Sequence, residues 1–79
     1  MIAKEMFEEL GYTCERETIH LSDDYTEEFY HYKNYNPYGN IDNFITFVDP
    51  RKKMYLKYNA SFGIEELKAI NKQVEELGW

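Results

Sequence analysis

The sequence predicts one α+β domain over residues 1–79, built as a helix, a four-stranded antiparallel β meander and a C-terminal amphipathic helix. Apolar residues recur at helical spacing near both ends of the chain, whereas they alternate with polar residues between those ends. A chain of 79 residues is also too short to form two cores that each bury enough surface. We therefore expect both helices to pack on one sheet face and the other face to stay open to solvent.

The two end segments show the periodicity of amphipathic helices. Gly11 is placed to end the first helix, residues 2–10, whose predicted apolar face consists of Ile2, Met6, Phe7 and Leu10. Gly63 or Ser61 can cap the last helix and Gly78 can end it. Its predicted apolar face consists of Ile64, Leu67, Ile70, Val74 and Leu77.

The middle of the chain reads as strands separated by turn residues. The first two strands are predicted near residues 13–20 and 27–34, joined by a turn at 22–24. Residues 34–43 contain Pro37, Gly39 and several asparagines, which predicts a ten-residue loop.

Residues 43–48 and 53–58 predict the clearest hairpin of the sequence. Pro50 suits the second position of a type I turn between these strands. Alternation directs Tyr55 and Lys57 outward. The predicted inward set is Ile45, Phe47, Met54, Leu56 and Tyr58.

Charge and cysteine content restrict the expected partners and compartment. Nine Lys and Arg against fifteen Asp and Glu give a net charge of −6, which repels nucleic-acid phosphates and anionic lipid and favours a protein partner with a basic surface. Cys14 is the only cysteine, so no intrachain disulfide can form. No apolar run has the length of a signal peptide or a membrane span, and we expect a cytoplasmic protein.

The sequence shows no sign of catalysis. Cys14, His20 and His31 are the only classical metal-binding or nucleophilic side chains, and they lack the close spacing of zinc or Cys–His sites. Phosphate-binding loops, nucleophile elbows and zinc-protease motifs are also missing from the sequence. The prediction is therefore a non-enzyme without a cofactor or a metal site.

An acidic, tyrosine-rich segment is the candidate protein-binding surface. Five of the eight tyrosines lie within residues 25–38, and tyrosine is enriched at interface hot spots. A solvated turn between strands is the commoner explanation of such acids, and packing in the core and loops is the alternative explanation of the rings. The candidate binding residues are Asp23, Asp24, Tyr25, Glu27, Glu28, Tyr30 and Tyr32.

The one basic patch lies on the predicted hairpin at residues 51–57. It comprises Arg51, Lys52, Lys53 and Lys57, with Tyr55 between them. Such a patch could contact phosphates, which makes a small nucleic-acid-binding module the alternative function. Lysines at a sheet edge also serve to block unwanted strand pairing.

Both ends of the chain resemble small uncharacterised proteins encoded in phages and prophages of Gram-positive bacteria. The resemblance rests on residues 3–12, AKEMFEELGY, and on residues 66–79, ELKAINKQVEELGW. It covers about a third of the chain and includes no catalytic motif. What it implies is a phage accessory protein made in a bacterial cytoplasm.

Together these observations predict a non-enzymatic phage accessory protein that binds and inhibits a host nucleic-acid-binding or defence protein. An acidic surface can occupy a groove built for phosphate, and charge would steer the association. Nucleic acid and membranes are not the expected partners. A second copy of the chain is a further candidate, because an uncovered aromatic sheet face can dimerise.

Overall fold

Two helices and four strands follow one another in a computed structural model, which describes residues 1–58 and 61–79. The elements are α1 (Ala3–Glu9), β1 (Thr13–Ser22), β2 (Tyr25–Tyr35), β3 (Ile41–Asp49), β4 (Lys53–Lys57) and α2 (Ile64–Glu76). The strands form one antiparallel sheet in the order β1-β2-β3-β4. The predicted α+β meander is therefore confirmed.

The core lies between the two helices and one face of the sheet. Phe7 of α1 stacks on Tyr32 of β2 with ring centroids 4.0 Å apart, and it meets Phe47 of β3 edge to face. Burying several aromatic rings gives a short chain a large hydrophobic contribution. The buried cluster consists of Phe7, Tyr12, Tyr32, Ile45, Phe47 and Ala69.

Strands β1, β2 and β3 run further than the sequence predicted, and the loop between β2 and β3 is correspondingly short. Only residues 36–40 separate these strands, whereas the sequence predicted a loop over 34–43. The Asn36 carboxamide oxygen accepts the backbone N–H groups of Tyr38 and Asn40 at 2.9 and 3.1 Å. The Asn36 side chain thus satisfies two backbone N–H groups of a short turn, so the strands can extend to the residues next to it.

The turn between β3 and β4 differs from the predicted type I geometry. The Asp49–Pro50 peptide is cis, and Lys52 has a positive φ of 57°. The hairpin register itself follows the sequence pattern, since Ile45 pairs with Leu56 and Phe47 pairs with Met54.

The prediction that β4 contributes to the core is wrong. Met54 and Leu56 lie on the side of the sheet that carries Ile45, but they remain 40% and 41% exposed. Tyr58 follows the strand and is 63% exposed. Rings from the helical segments reach β2 and β3 through Phe7 and Trp79, whereas every residue of β4 is exposed.

The buried face of helix α2 differs slightly from the apolar face that the sequence predicted. Ile64 and Leu67 are 63% and 49% exposed, while Ala69 and Gln73 are buried. Ile70, Val74 and Leu77 pack against the core as predicted. The predicted cap is confirmed, since the Gly63 N–H donates to the Glu66 carboxylate at 3.0 Å. Within the described residues, neither helix has the length and apolar character required to cross a membrane.

Candidate functional site

The β1–β2 turn places two of the predicted binding residues in solvent. Asp23 and Asp24 join the paired residues Ser22 and Tyr25, and both aspartates are exposed. In the part of the chain that the structure describes, neither aspartate forms an ion pair. Their carboxylates therefore form a free negative tip on the sheet.

Glu27 is the least exposed carboxylate of the predicted surface, at 6%. Its carboxylate lies 2.6 Å from the Arg51 guanidinium and accepts a hydrogen bond from the Tyr25 hydroxyl at 3.1 Å. Glu27 holds the Tyr25 ring and the β3–β4 turn in place and has little surface to offer a partner. Burial raises the pKa of Tyr25, and the neighbouring Glu27 adds to this effect.

Glu28 lies on the opposite sheet face from Glu27, as neighbouring strand residues do. Its carboxylate accepts hydrogen bonds from Arg16 Nε at 3.2 Å and from the Thr18 hydroxyl at 3.0 Å. The Arg16 guanidinium also lies 4.7 Å from the centre of the Tyr30 ring. Glu28 and Tyr30 thus share one cation on the side of the sheet that the helices cover.

Tyr32 is a core residue, with 2% of its surface exposed. Its hydroxyl donates a hydrogen bond to the Gln73 side chain of α2. Burial raises the pKa of Tyr32, and the Cys14 thiol beside it contributes further. The proposed binding surface must therefore be revised, because its seven residues fall on two sheet faces, a turn and the core.

The face of the sheet opposite the helices is organised as three rows that cross all four strands; we call it the open face. Registers place Glu15, His31, Thr46 and Tyr55 in the central row. One flanking row is Thr13, Lys33, Phe44 and Lys57, and the other is Glu17, Phe29, Val48 and Lys53. The only tyrosine in these rows is Tyr55, although the sequence predicted several on the outward face.

A shallow depression of about 260 Å³ lies in the middle of the open face. Thr46 is the smallest residue of its row, so larger neighbours stand around it. The lining consists of Phe29, His31, Phe44, Thr46, Tyr55 and Lys57. No local sequence pattern marks this depression, because its residues come from three strands and are brought together only by the register.

His31 is fixed within this depression by two side chains. Its Nδ1 lies 2.8 Å from the Thr46 hydroxyl, and its Nε2 lies 3.3 Å from the Glu17 carboxylate. The ring also meets Phe44 edge to face at 5.6 Å and Phe29 at 5.8 Å. These contacts make the floor of the depression a preorganised surface.

Charge is segregated between the two edges of the sheet. Strands follow one another in sequence order, so β1 and β4 form opposite edges. On the open face, β1 presents Glu15 and Glu17, whereas β4 presents Lys53 and Lys57. The molecule therefore has an acidic edge and a basic edge, about 14 Å apart at the usual strand spacing.

The basic hairpin is only partly available to a partner. Arg51 is committed to Glu27 and also donates to the Tyr55 hydroxyl at 3.4 Å. Lys53 and Lys57 are exposed and form no ion pair among residues 1–58 and 61–79. These two lysines are the accessible cations of the hairpin's open face.

The classical metal and nucleophile residues are dispersed. Cys14 and Tyr32 are paired residues on the covered face, whereas His31 lies on the open face and His20 pairs with Thr26 near the β1–β2 turn. The described part of the chain contains no group of three His, Cys, Asp or Glu residues arranged to hold a metal ion. Burial raises the pKa of the Cys14 thiol, which is the opposite of the shift that activates a nucleophilic cysteine.

Compared with known proteins, the chain matches no family model, no curated protein and no solved structure.

Proposed function

We propose that this chain is a non-enzymatic binding protein whose acidic β1–β2 turn engages a basic surface on another protein. The observation that carries the proposal is the exposed pair Asp23 and Asp24, which lack the internal cation that the neighbouring acids have. Glu27 is paired with Arg51 and Glu28 with Arg16. A partner's Lys or Arg would therefore meet two carboxylates that no internal ion pair neutralises, and charge would steer the encounter.

The partner that fits this chemistry is a nucleic-acid-binding protein. Its groove is positively charged because it binds phosphates, and an acidic turn can occupy such a groove. The resemblance of both chain ends to phage-encoded proteins supports a host defence protein as the target. On this proposal the chain inhibits its target by competing with nucleic acid in the host cytoplasm.

The test is affinity capture from the lysate of a Gram-positive host, followed by competition. The variant D23K/D24K changes the net charge from −6 to −2, because each reversal removes one negative charge and adds one positive charge. E8K/E9K is the matched control, since it makes the same charge change at exposed residues of α1.

We expect the native protein and E8K/E9K to capture a nucleic-acid-binding protein and to displace an oligonucleotide from it. The D23K/D24K variant should do neither, and added salt should weaken the complex steeply. If both variants behave alike, the acidic turn is not the binding surface. A complex that is indifferent to salt would also reject the electrostatic mechanism.

The open face supports a second candidate function, which is binding of single-stranded nucleic acid. Tyr55 is 45% exposed, and it lies beside Lys57 and Phe44 on this face. Aromatic rings next to lysines can stack bases and contact phosphates. The negative charges of Glu15 and Glu17, on the β1 edge of the same face, oppose this function. Failure to retard any oligonucleotide at low salt would eliminate it.

A further inference from the structure

The open face carries opposite charges on its two sides, and the apolar rings lie between them. At the β1 side, the Glu15 and Glu17 side chains are 62% and 58% exposed, although Glu15 lies 3.5 Å from Lys33 and Glu17 lies 3.3 Å from His31 within the same chain. Lys53 and Lys57 are exposed at the β4 side. Phe29, Phe44 and Tyr55 belong to the aromatic depression between these sides.

This pattern is complementary to itself in one orientation. If two open faces meet around a two-fold axis parallel to the strands, β1 of each copy lies opposite β4 of the other. Glu17 then faces Lys53 of the second copy, because both residues belong to one row of the register. A two-fold axis across the strands would instead place β1 on β1 and bring like charges together, which is unfavourable.

We propose that two copies of this chain form a symmetric dimer through their open faces, with the two-fold axis parallel to the strands. The aromatic depressions meet at the centre, and each copy contributes one acidic edge and one basic edge. An isologous contact of this kind closes after two copies and leaves no free interface. The acidic tip at Asp23 and Asp24 lies beyond the rows that this dimer covers, so dimerisation adds to the proposed function and does not depend on it.

The size of the face sets the strength of the association. The open face is four strands wide and three to four side-chain rows long. It therefore measures roughly 20 by 20 Å, or on the order of 400 Å² per copy. Stable interfaces bury about 800 Å² per partner, so the dimer belongs to the weak, concentration-dependent class. Electrostatic complementarity then determines which orientation forms.

Charge exchange tests the orientation directly. The variant E15K/E17K has lysine on both sides of its open face, and the variant K53E/K57E has glutamate on both sides. Each variant alone should dimerise at least about tenfold more weakly than the native protein, which corresponds to about 1.4 kcal/mol. The two variants mixed should recover the dimer, because the lysine edges of one variant again lie opposite the glutamate edges of the other.

Sedimentation velocity over a concentration series gives the readout. Recovery of the dimer in the mixture supports the proposal. Recovery in the fourfold variant E15K/E17K/K53E/K57E, in which the charges of the β1 and β4 edges are exchanged, supports it as well. A native protein that stays monomeric at all concentrations overturns the proposal. Variants that dimerise as well as the native protein overturn the orientation.

A second pair of variants separates face packing from pairing of strand edges. Tyr55 and Met54 are neighbours on β4 and are 45% and 40% exposed, but Tyr55 lies on the open face and Met54 on the covered side. We expect Y55E to abolish the dimer and M54E to preserve it. Equal loss in both variants would indicate edge-to-edge pairing and would overturn the face-to-face dimer. Sedimentation velocity tests the dimer, whereas affinity capture tests the acidic turn. Absence of a dimer therefore does not reject the proposal for the acidic turn.

Discussion

The Arg51 guanidinium lies 2.6 Å from the Glu27 carboxylate and joins the β3–β4 turn to the start of β2. Glu27 is nearly buried, whereas the Arg51 side chain is 41% exposed. A buried carboxylate needs a partner, since leaving it unpaired costs more than the pair contributes net. The pair therefore fixes the turn that carries the basic hairpin, and it removes Glu27 from the acidic surface.

Replacing Arg51 should destabilise the fold even though this residue is partly exposed. In R51A the Glu27 carboxylate keeps the Tyr25 hydroxyl but loses its cation, and we expect unfolding to become easier by about 1–2 kcal/mol. Urea unfolding measures this change. K53A is the control, because it removes an exposed lysine of the same hairpin, and it should change stability by less than about 0.5 kcal/mol. Equal stability of the two variants would show that the ion pair contributes nothing.

A single carboxylate of α2 should stabilise the start of α1. The Ala3 N–H donates to Glu76 at 2.7 Å, and this bond satisfies one of the free N–H groups of a seven-residue helix. We expect E76A to lower the free energy of unfolding by about 1 kcal/mol. Its neighbour Glu75 has only an exposed ion pair with Lys72, so E75A should lower it by less than about 0.5 kcal/mol. Thermal unfolding followed by circular dichroism compares the two variants, and an equal loss in both would contradict the helix-start role.

The order and type of the elements could be predicted because local patterns determine them. Helical spacing around Phe7 and Val74 identified both helices, and alternation around Ile45 identified the hairpin. The extent of burial could not be predicted in the same way. Met54 and Leu56 have the correct alternation, but whether they are buried depends on how far the helices extend over the sheet.

The candidate site was harder to predict because it depends on register. Local sequence groups Glu27 with Glu28, yet the pleat sends them to opposite faces and to different arginines. Phe29, Phe44 and Tyr55 are distant in sequence and meet only in the folded sheet. The basic patch at 51–57 was identified from the sequence, but Glu15 and Glu17 were not, because only the register shows that these acids share the open face with Lys53 and Lys57 at the opposite edge.

The single tryptophan provides a spectroscopic test of the packing at the C-terminus. Trp79 Nε1 donates to Asp49 at 2.9 Å, and its ring lies 6.2 Å from the ring of Phe47. In D49A the indole N–H loses its acceptor, so the ring should become more mobile and more hydrated. We expect a red shift of the fluorescence and a loss of about 1 kcal/mol in stability. D42A, which removes a carboxylate at the other end of β3, should leave the emission unchanged. An unshifted spectrum in D49A would show that this contact does not hold the ring.

Alkaline pH should destabilise the protein through its buried tyrosines. Burial raises the pKa of Tyr32 above its ordinary value of 10.0, with a further contribution from Cys14. Burial raises the pKa of Tyr12 and Tyr30 in the same direction. Above pH 10.0 the unfolded chain releases protons that native Tyr32 retains, so the native state binds more protons. The contribution to stability is therefore fully present below this pH and is lost as the pH rises through the folded pKa.

The variant Y32F separates this titration from the hydrogen bond to Gln73. At neutral pH it leaves the buried Gln73 side chain without its donor, and we expect a loss of about 1–3 kcal/mol. Above pH 10.0 its stability should fall less steeply than that of the native protein, although Tyr12 and Tyr30 still contribute. Y38F is the control, because Tyr38 is 89% exposed, and its profile should match the native one. Denaturant unfolding at a series of pH values measures all three proteins, and parallel profiles for Y32F and the native protein would exclude Tyr32 as the group responsible.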